Sequence, residues 1–128
     1  MQINLNKLCY FWIPRVTPSN NVMLRMHHMA RHKLNETWLW EIKAAIQDWE
    51  HIHREIPIAG WYVKRGVKII SCRHNMVDED NLTGGIKPLL DAIMGNRLIW
   101  NDTPDCVALI VEQKINRKNP GTWIEISI

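Results

Sequence analysis

The sequence predicts an α+β domain in which a mixed β-sheet packs against two main helices, and three observations carry that expectation. Apolar or alternating runs at Leu8–Ile13, Val67–Arg73, Cys106–Ile115 and Thr122–Ile128 have the period of strands. From Glu36 to about Arg54 the apolar residues instead recur at three and four residue intervals, the period of a helix. A second helical pattern runs from near Ile86 to Gly95, so strands and helices form separate runs, as in α+β folds.

The 128 residues suit a single domain, 1–128, and an apolar fraction of 46% with seven Trp excludes a disordered chain. No apolar run approaches the roughly 20 residues needed to span a membrane. Asn4, Asn6 and Lys7 interrupt the apolar N-terminal residues, with no signal-like cleavage region, so the expectation is a soluble, intracellular protein with no membrane partner. Cys9, Cys72 and Cys106 are widely spaced and odd in number, which reads as three small apolar residues rather than a disulfide framework or a zinc knuckle. The net charge is +3, and the first acid is Glu36. Lys7, Arg15, Arg25, Arg31 and Lys33 precede it unopposed, a pattern that suits a phosphate backbone and equally a solubilising surface.

Leu8–Ile13 reads as a buried first strand stopped by Pro14, and Pro18-Ser19-Asn20-Asn21 as a turn. Met23 to Lys33 is basic, with Met23, Met26 and Met29 near helical spacing. It is expected to be a loop or short helix that lays Arg25, Arg31 and Lys33 against DNA with its Met residues inward. His28 and His32 are four apart, but there is no H-E-x-x-H and no nearby Cys, so zinc is the lesser reading. Asn35 is the expected cap of the helix from Glu36, whose apolar stripe is Trp38, Ile42, Ala45, Ile46, Trp49 and Ile52. Pro57 and Gly60 end that region, and Trp61 to Val63 are a possible partner of the Val67–Arg73 strand. After the second helix, with its stripe of Leu82, Ile86, Leu90 and Ile93, Leu98 to Trp100 reads as a short strand. Cys106–Ile115 and Thr122–Ile128 then read as a hairpin with a turn over Arg117 to Gly121, from which Lys114, Arg117 and Lys118 reach toward phosphates.

The chemistry concentrates between Asp78 and Asp102. Asp78 and Asp80 are two apart, so in an extended segment at the end of a strand both carboxylates leave one face and converge on a hard cation. Asp102 is the expected third acid, with Asp105 in reserve. Such a set suits phosphodiester hydrolysis assisted by a divalent ion. The plainer reading is a solvated turn or helix cap. An EF-hand is excluded, because Leu82, Thr83 and Leu89 occupy positions 5, 6 and 12 from Asp78.

Asp78-Glu79-Asp80-Asn81-Leu82, the run from Lys87 to Ile93, Gly95, Leu98-Ile99-Trp100, Asp102 and Val107 together resemble the RusA-type Holliday junction resolvases over about the last half of the chain. Lys87 follows Asp80 by seven positions, against four in that family. Three extra residues turn a helix by about 300°, so Lys87 is still expected to face the acids, with Gly84 and Gly85 as a loop and Pro88 in the first helical turn. The resemblance implies a magnesium-dependent endonuclease, with manganese as a substitute, acting as a homodimer that nicks four-way junctions symmetrically. It also implies a bacterial or phage-encoded cytoplasmic protein of recombination and repair. Asp78, Asp80 and Asp102 would hold the metal, Lys87 would steady the phosphate, and Asn20 or Asn21 would place DNA from the turn. Other classes left open are a non-catalytic nucleic-acid-binding module with the same fold and a hydrolase of small phosphates.

Overall fold

Along the first strand, β1 (Lys7–Ile13), Cys9, Phe11 and Ile13 are buried while Leu8, Tyr10 and Trp12 are less so, the alternation of a strand with one covered face. The structure is a computed structural model that describes residues 7–55, 57–60 and 63–128. After β1 come α1 (Asn20–Arg25), α2 (His28–His53), β2 (Arg65–Arg73), α3 (Glu79–Gly85), α4 (Lys87–Gly95), β3 (Val107–Ile115) and β4 (Gly121–Ser127). The four strands form one mixed sheet in the order β1-β4-β2-β3, with β2 parallel to β3 and β4 antiparallel to both β1 and β2. Val67 and Ile69 of β2 and Ile124 and Ile126 of β4 face the same way as Phe11. Against them pack Trp38, Ile42 and Ile46 of α2 and Leu89, Ala92 and Ile93 of α4. The α+β class, the mixed sheet and the two covering helices are as the sequence predicts.

Several local expectations change. β3 and β4 are not a hairpin: β2 lies between them, because the Asn116–Pro120 connection crosses the end of β2, where the Asn116 N–H donates to the Arg73 carbonyl at 2.8 Å. Alternating apolarity reports that a strand has a covered face, not which neighbour it pairs with. The long helix starts at His28 instead of Glu36, capped by the His27 side chain, so Asn35 is inside it and Arg31 and Lys33 stand on its first turns. Basic, polar residues fit a helical first turn as well as a loop when no side is buried. Of the Met residues expected inward only Met23 is buried, and Met29 is 69% exposed, as is Ile52 at 71% beyond the end of the α2 stripe. Leu98 to Trp100 are a bend rather than a strand, although Leu98 and Ile99 are buried. Of the proposed Trp61–Val63 strand, Trp61 and Tyr62 lie outside the described residues and Val63 is in no strand.

All three cysteines are buried free thiols. Burial pushes the Cys9 thiol up from 9.0 to about 12, with the nearby Arg65 guanidinium pulling the other way. A thiol whose folded pKa exceeds its unfolded value favours folding while protonated, so its contribution is present below about pH 9 and is lost as pH rises toward 12. The loss is at most about 1.4 kcal/mol per pH unit. Urea titrations between about pH 8 and about pH 10.5 are expected to show wild type losing stability more steeply than Cys9→Ala; parallel profiles would contradict this account of Cys9.

Candidate functional site

The chain leaves the sheet at Arg73 and turns into α3, and three fixings hold that passage. The Gln113 side chain of β3 grips Val77 at both backbone groups, accepting from its N–H at 3.1 Å and donating to its carbonyl at 2.7 Å. Asp78 then caps α3, its carboxylate accepting from the Asn81 N–H at 2.9 Å, while the Asn81 amide donates to both of its oxygens at 3.1 Å. Asn81 Oδ1 in turn accepts from the Asn21 N–H at 2.9 Å. Asn20 and Asn21 do not lie in the loop turn the sequence predicts but open α1 behind its Ser19 cap, so this bond ties the first turn of α1 to the acid-bearing helix. The chain before that turn is anchored from below by Arg73, whose guanidinium is buried and donates to the Thr17 carbonyl at 2.6 Å and to the Ser71 hydroxyl at 3.2 Å. Burial pulls the Arg73 pKa down from its usual value.

α3 also touches that turn through its glycines. A methyl group on Gly85 would collide with the Pro18 carbonyl oxygen, and one on Gly84 would meet the Asn20 side chain, Cγ at 2.5 Å. Gly84 and Gly85 therefore do bring backbone close to the site, but as the last turn of a helix and not as a loop.

The acids divide into two groups. Asp78 and Asp80 are at the cap and in the first turn of α3, where residues advance by about 100° each, so the same-face argument for an extended strand does not hold. Asp80 is exposed and has no hydrogen bond or ion pair among the described residues, and among those residues no three His, Cys, Asp or Glu side chains are gathered as a metal-binding group. The second group centres on Lys87, the first residue of α4. Its ammonium donates to Asp91 at 2.7 Å and to Asp102 at 3.4 Å. Its pKa is raised, chiefly by the Asp91 hydrogen bond and further by the charges of Asp91 and Asp102, against partial burial that lowers it. The Lys87–Asp91 pair is the one its four-residue spacing predicts. Asp105 is exposed in the turn before β3 and joins neither group.

Exposed carboxylate oxygens are the donors a hard divalent cation takes, but the expected convergence of Asp78, Asp80 and Asp102 is not what the fold shows. Asp78 is engaged by Asn81 and Asp102 by Lys87, and the described residues gather no three acids at one place. The Lys87 ammonium marks a place where two carboxylates, Asp91 and Asp102, already accept a positive charge.

Of the basic residues named from the sequence, Arg25, Arg31, Lys33, Lys114, Arg117 and Lys118 are exposed. Arg15 is partly buried and pairs with Glu41 at 2.8 Å, and Lys7 pairs with Glu125 at 3.3 Å, so these two are not unopposed. Arg25 is in the last turn of α1, the helix that packs on α3. Arg117 and Lys118 occupy the connection beside Arg73, at the end of the sheet from which the acids emerge. Lys114 is on β3 opposite Cys72, on the sheet face away from the helices. Arg31 and Lys33 stand on the first turns of α2, which runs against α4. Sequence reading did not single out Arg73, Gln113 or Asn81 as supports. An Arg closing an otherwise apolar strand was a visible signal for the first; nothing in the sequence marks Gln113.

The chain matches no protein-family model, no curated protein and no solved structure. No helix among the described residues is long and apolar enough to cross a membrane.

Proposed function

We propose that the protein is a magnesium-dependent, structure-specific endodeoxyribonuclease that nicks four-way DNA junctions in pairs, working as a homodimer of the RusA type. The observation that carries this reading is Lys87 held between Asp91 and Asp102 at the start of α4, directly after the helix whose N-terminus bears Asp78 and Asp80. Support also comes from the start of α1, which the Asn21–Asn81 hydrogen bond ties to the acid-bearing helix, although Lys87, Asp91 and Asp102 form a group of their own. The residues that would hold magnesium, or manganese in its place, are Asp78, Asp80 and Asp102. A divalent ion there supplies charge neutralisation and an activated water. Lys87 donates to a non-bridging phosphate oxygen as charge grows on it, and Asp91 keeps the ammonium aimed. Asn20 and Asn21 set the strand on α3, while Arg25, Arg31, Lys33, Arg117 and Lys118 hold flanking phosphates.

The capped state of Asp78 and the separation of the two acidic groups favour one second reading, a branched-DNA-binding module without catalysis. Four-way, Y-shaped and linear duplexes, each incubated with the protein in magnesium and in chelator, separate the two. The nuclease reading expects cutting of the four-way junction, in magnesium alone. Tight junction binding with no cutting would establish the second reading, and equal cutting of linear duplex would remove structure specificity.

Lys87→Gln keeps a donor of similar length but removes the charge. It is expected to slow junction cleavage by about 10–100-fold while leaving junction affinity within about threefold, measured by single-turnover cleavage and gel shift.

A further inference from the structure

β3 is an edge strand, with β2 on one side and no strand on the other among the described residues. Half of the N–H and C=O groups of such a strand point out of the sheet, and proteins ordinarily blunt long apolar edges with Pro, bulges or charge. β3 is nine residues long, keeps unbroken register with β2 and has no Pro. Its side chains are open as well: Leu109 is 39% exposed, Ile110 54% and Ile115 50%, and these lie on both faces of the sheet. What covers this edge has to accommodate its only two charges, Glu112 and Lys114, which flank Gln113.

We propose that β3 pairs antiparallel with β3 of a second copy of the chain about a two-fold axis at Gln113, joining two four-stranded sheets into one. This inference supplies the surface for the dimer proposed above and stands apart from the nuclease chemistry. A two-fold axis perpendicular to the sheet keeps each face on its own side, so residues opposite one another share a face. With Gln113 opposite its own copy, Glu112 faces the partner's Lys114, Lys114 faces the partner's Glu112, and Val111 faces the partner's Ile115. Strand pairing therefore spans Val111–Ile115, while Leu109 and Ile110 lie beside the connection that follows the partner's β3. Moving the axis to Glu112 sets like charges against each other, and moving it to Val111 leaves both charges against apolar residues. The self-complementary order of charge is what commits the edge to a second copy. Both groups are available for it: Glu112 reaches Lys68 only at 3.9 Å, and Lys114 has no carboxylate partner among the described residues. Lys114 is thereby assigned to the interface and not to phosphate.

Sedimentation equilibrium of wild type, Glu112→Lys, Lys114→Glu and the double exchange tests the proposal, with circular dichroism confirming that each variant is folded. Wild type is expected to dimerise, each single exchange to raise the dissociation constant about tenfold or more, and the double exchange to return it to within about threefold. A monomeric wild type would overturn both the surface and the dimer. A wild-type dimer indifferent to the single exchanges would overturn the surface alone, and single exchanges that weaken it without rescue by the double would overturn the register.

Discussion

Asp80→Asn is expected to reduce magnesium-dependent cleavage of a four-way junction by about 10²–10³-fold while junction affinity stays within about threefold. The expectation follows from the position of this side chain in the first turn of α3, exposed and without a hydrogen bond or ion pair among the described residues. Its carboxylate gains only the modest field of the α3 N-terminus there and bonds to no described residue, so its charge is free for the cation. Asp78 differs, because its carboxylate caps α3. Asn is as good a cap as Asp, so Asp78→Asn isolates loss of charge from loss of fold; Asp78→Ala loses the cap too, at about 1 kcal/mol. The two Asn variants should therefore lose cleavage alike and melt close to wild type, and only Asp78→Ala should melt lower. Cleavage by Asp80→Asn at the wild-type rate would detach α3 from the chemistry.

Gly85→Ala has the largest expected effect on stability. The added methyl group would strike the carbonyl oxygen of Pro18, with the Pro18 carbonyl carbon at 2.8 Å and Ser19 Cα at 3.3 Å behind it, so main chain has to move on one side or the other. Such overpacking costs about 3 kcal/mol or more, which outweighs the roughly 1 kcal/mol that Ala gains over Gly inside a helix. A chain of this size should then melt about 10 °C lower. Gly84→Ala meets Asn20 Cγ at 2.5 Å and Asn20 Cβ at 2.7 Å; rotation of the side chain moves the first but not the second, so the backbone at Asn20 has to shift. The variant should melt below wild type, by less than Gly85→Ala, and disturb cleavage through Asn20. Thermal melts of both variants check the pair, and an unchanged melting temperature for Gly85→Ala would mean that the turn does not lie on α3.

The sequence announced the strands and helices because burial on one face leaves a period in it: Cys9, Phe11 and Ile13 repeat by two, and Trp38, Ile42 and Ile46 by four. Pairing leaves no such mark. Thr122–Ile128 follows Cys106–Ile115 so closely that a hairpin is the economical reading, yet β4 enters between β1 and β2. Asp78-Glu79-Asp80 was equally readable as a strand end or as a helix start, and the cap chemistry of Asp78 with Asn81 decided for the helix. The Lys87–Asp91 pair was legible from its spacing. Its extension to Asp102 depends on how the chain folds back after α4, where Arg97 takes a left-handed conformation at φ 61°, and nothing local encodes that contact.

Mapping the cuts tests the central claim most directly. A four-way junction labelled in turn on each strand, incubated with wild-type protein and magnesium and run on a sequencing gel, should show nicks at symmetric positions on two opposed strands and none when a chelator is present. A junction that is bound at the same protein concentration but shows no nick on any strand would contradict it.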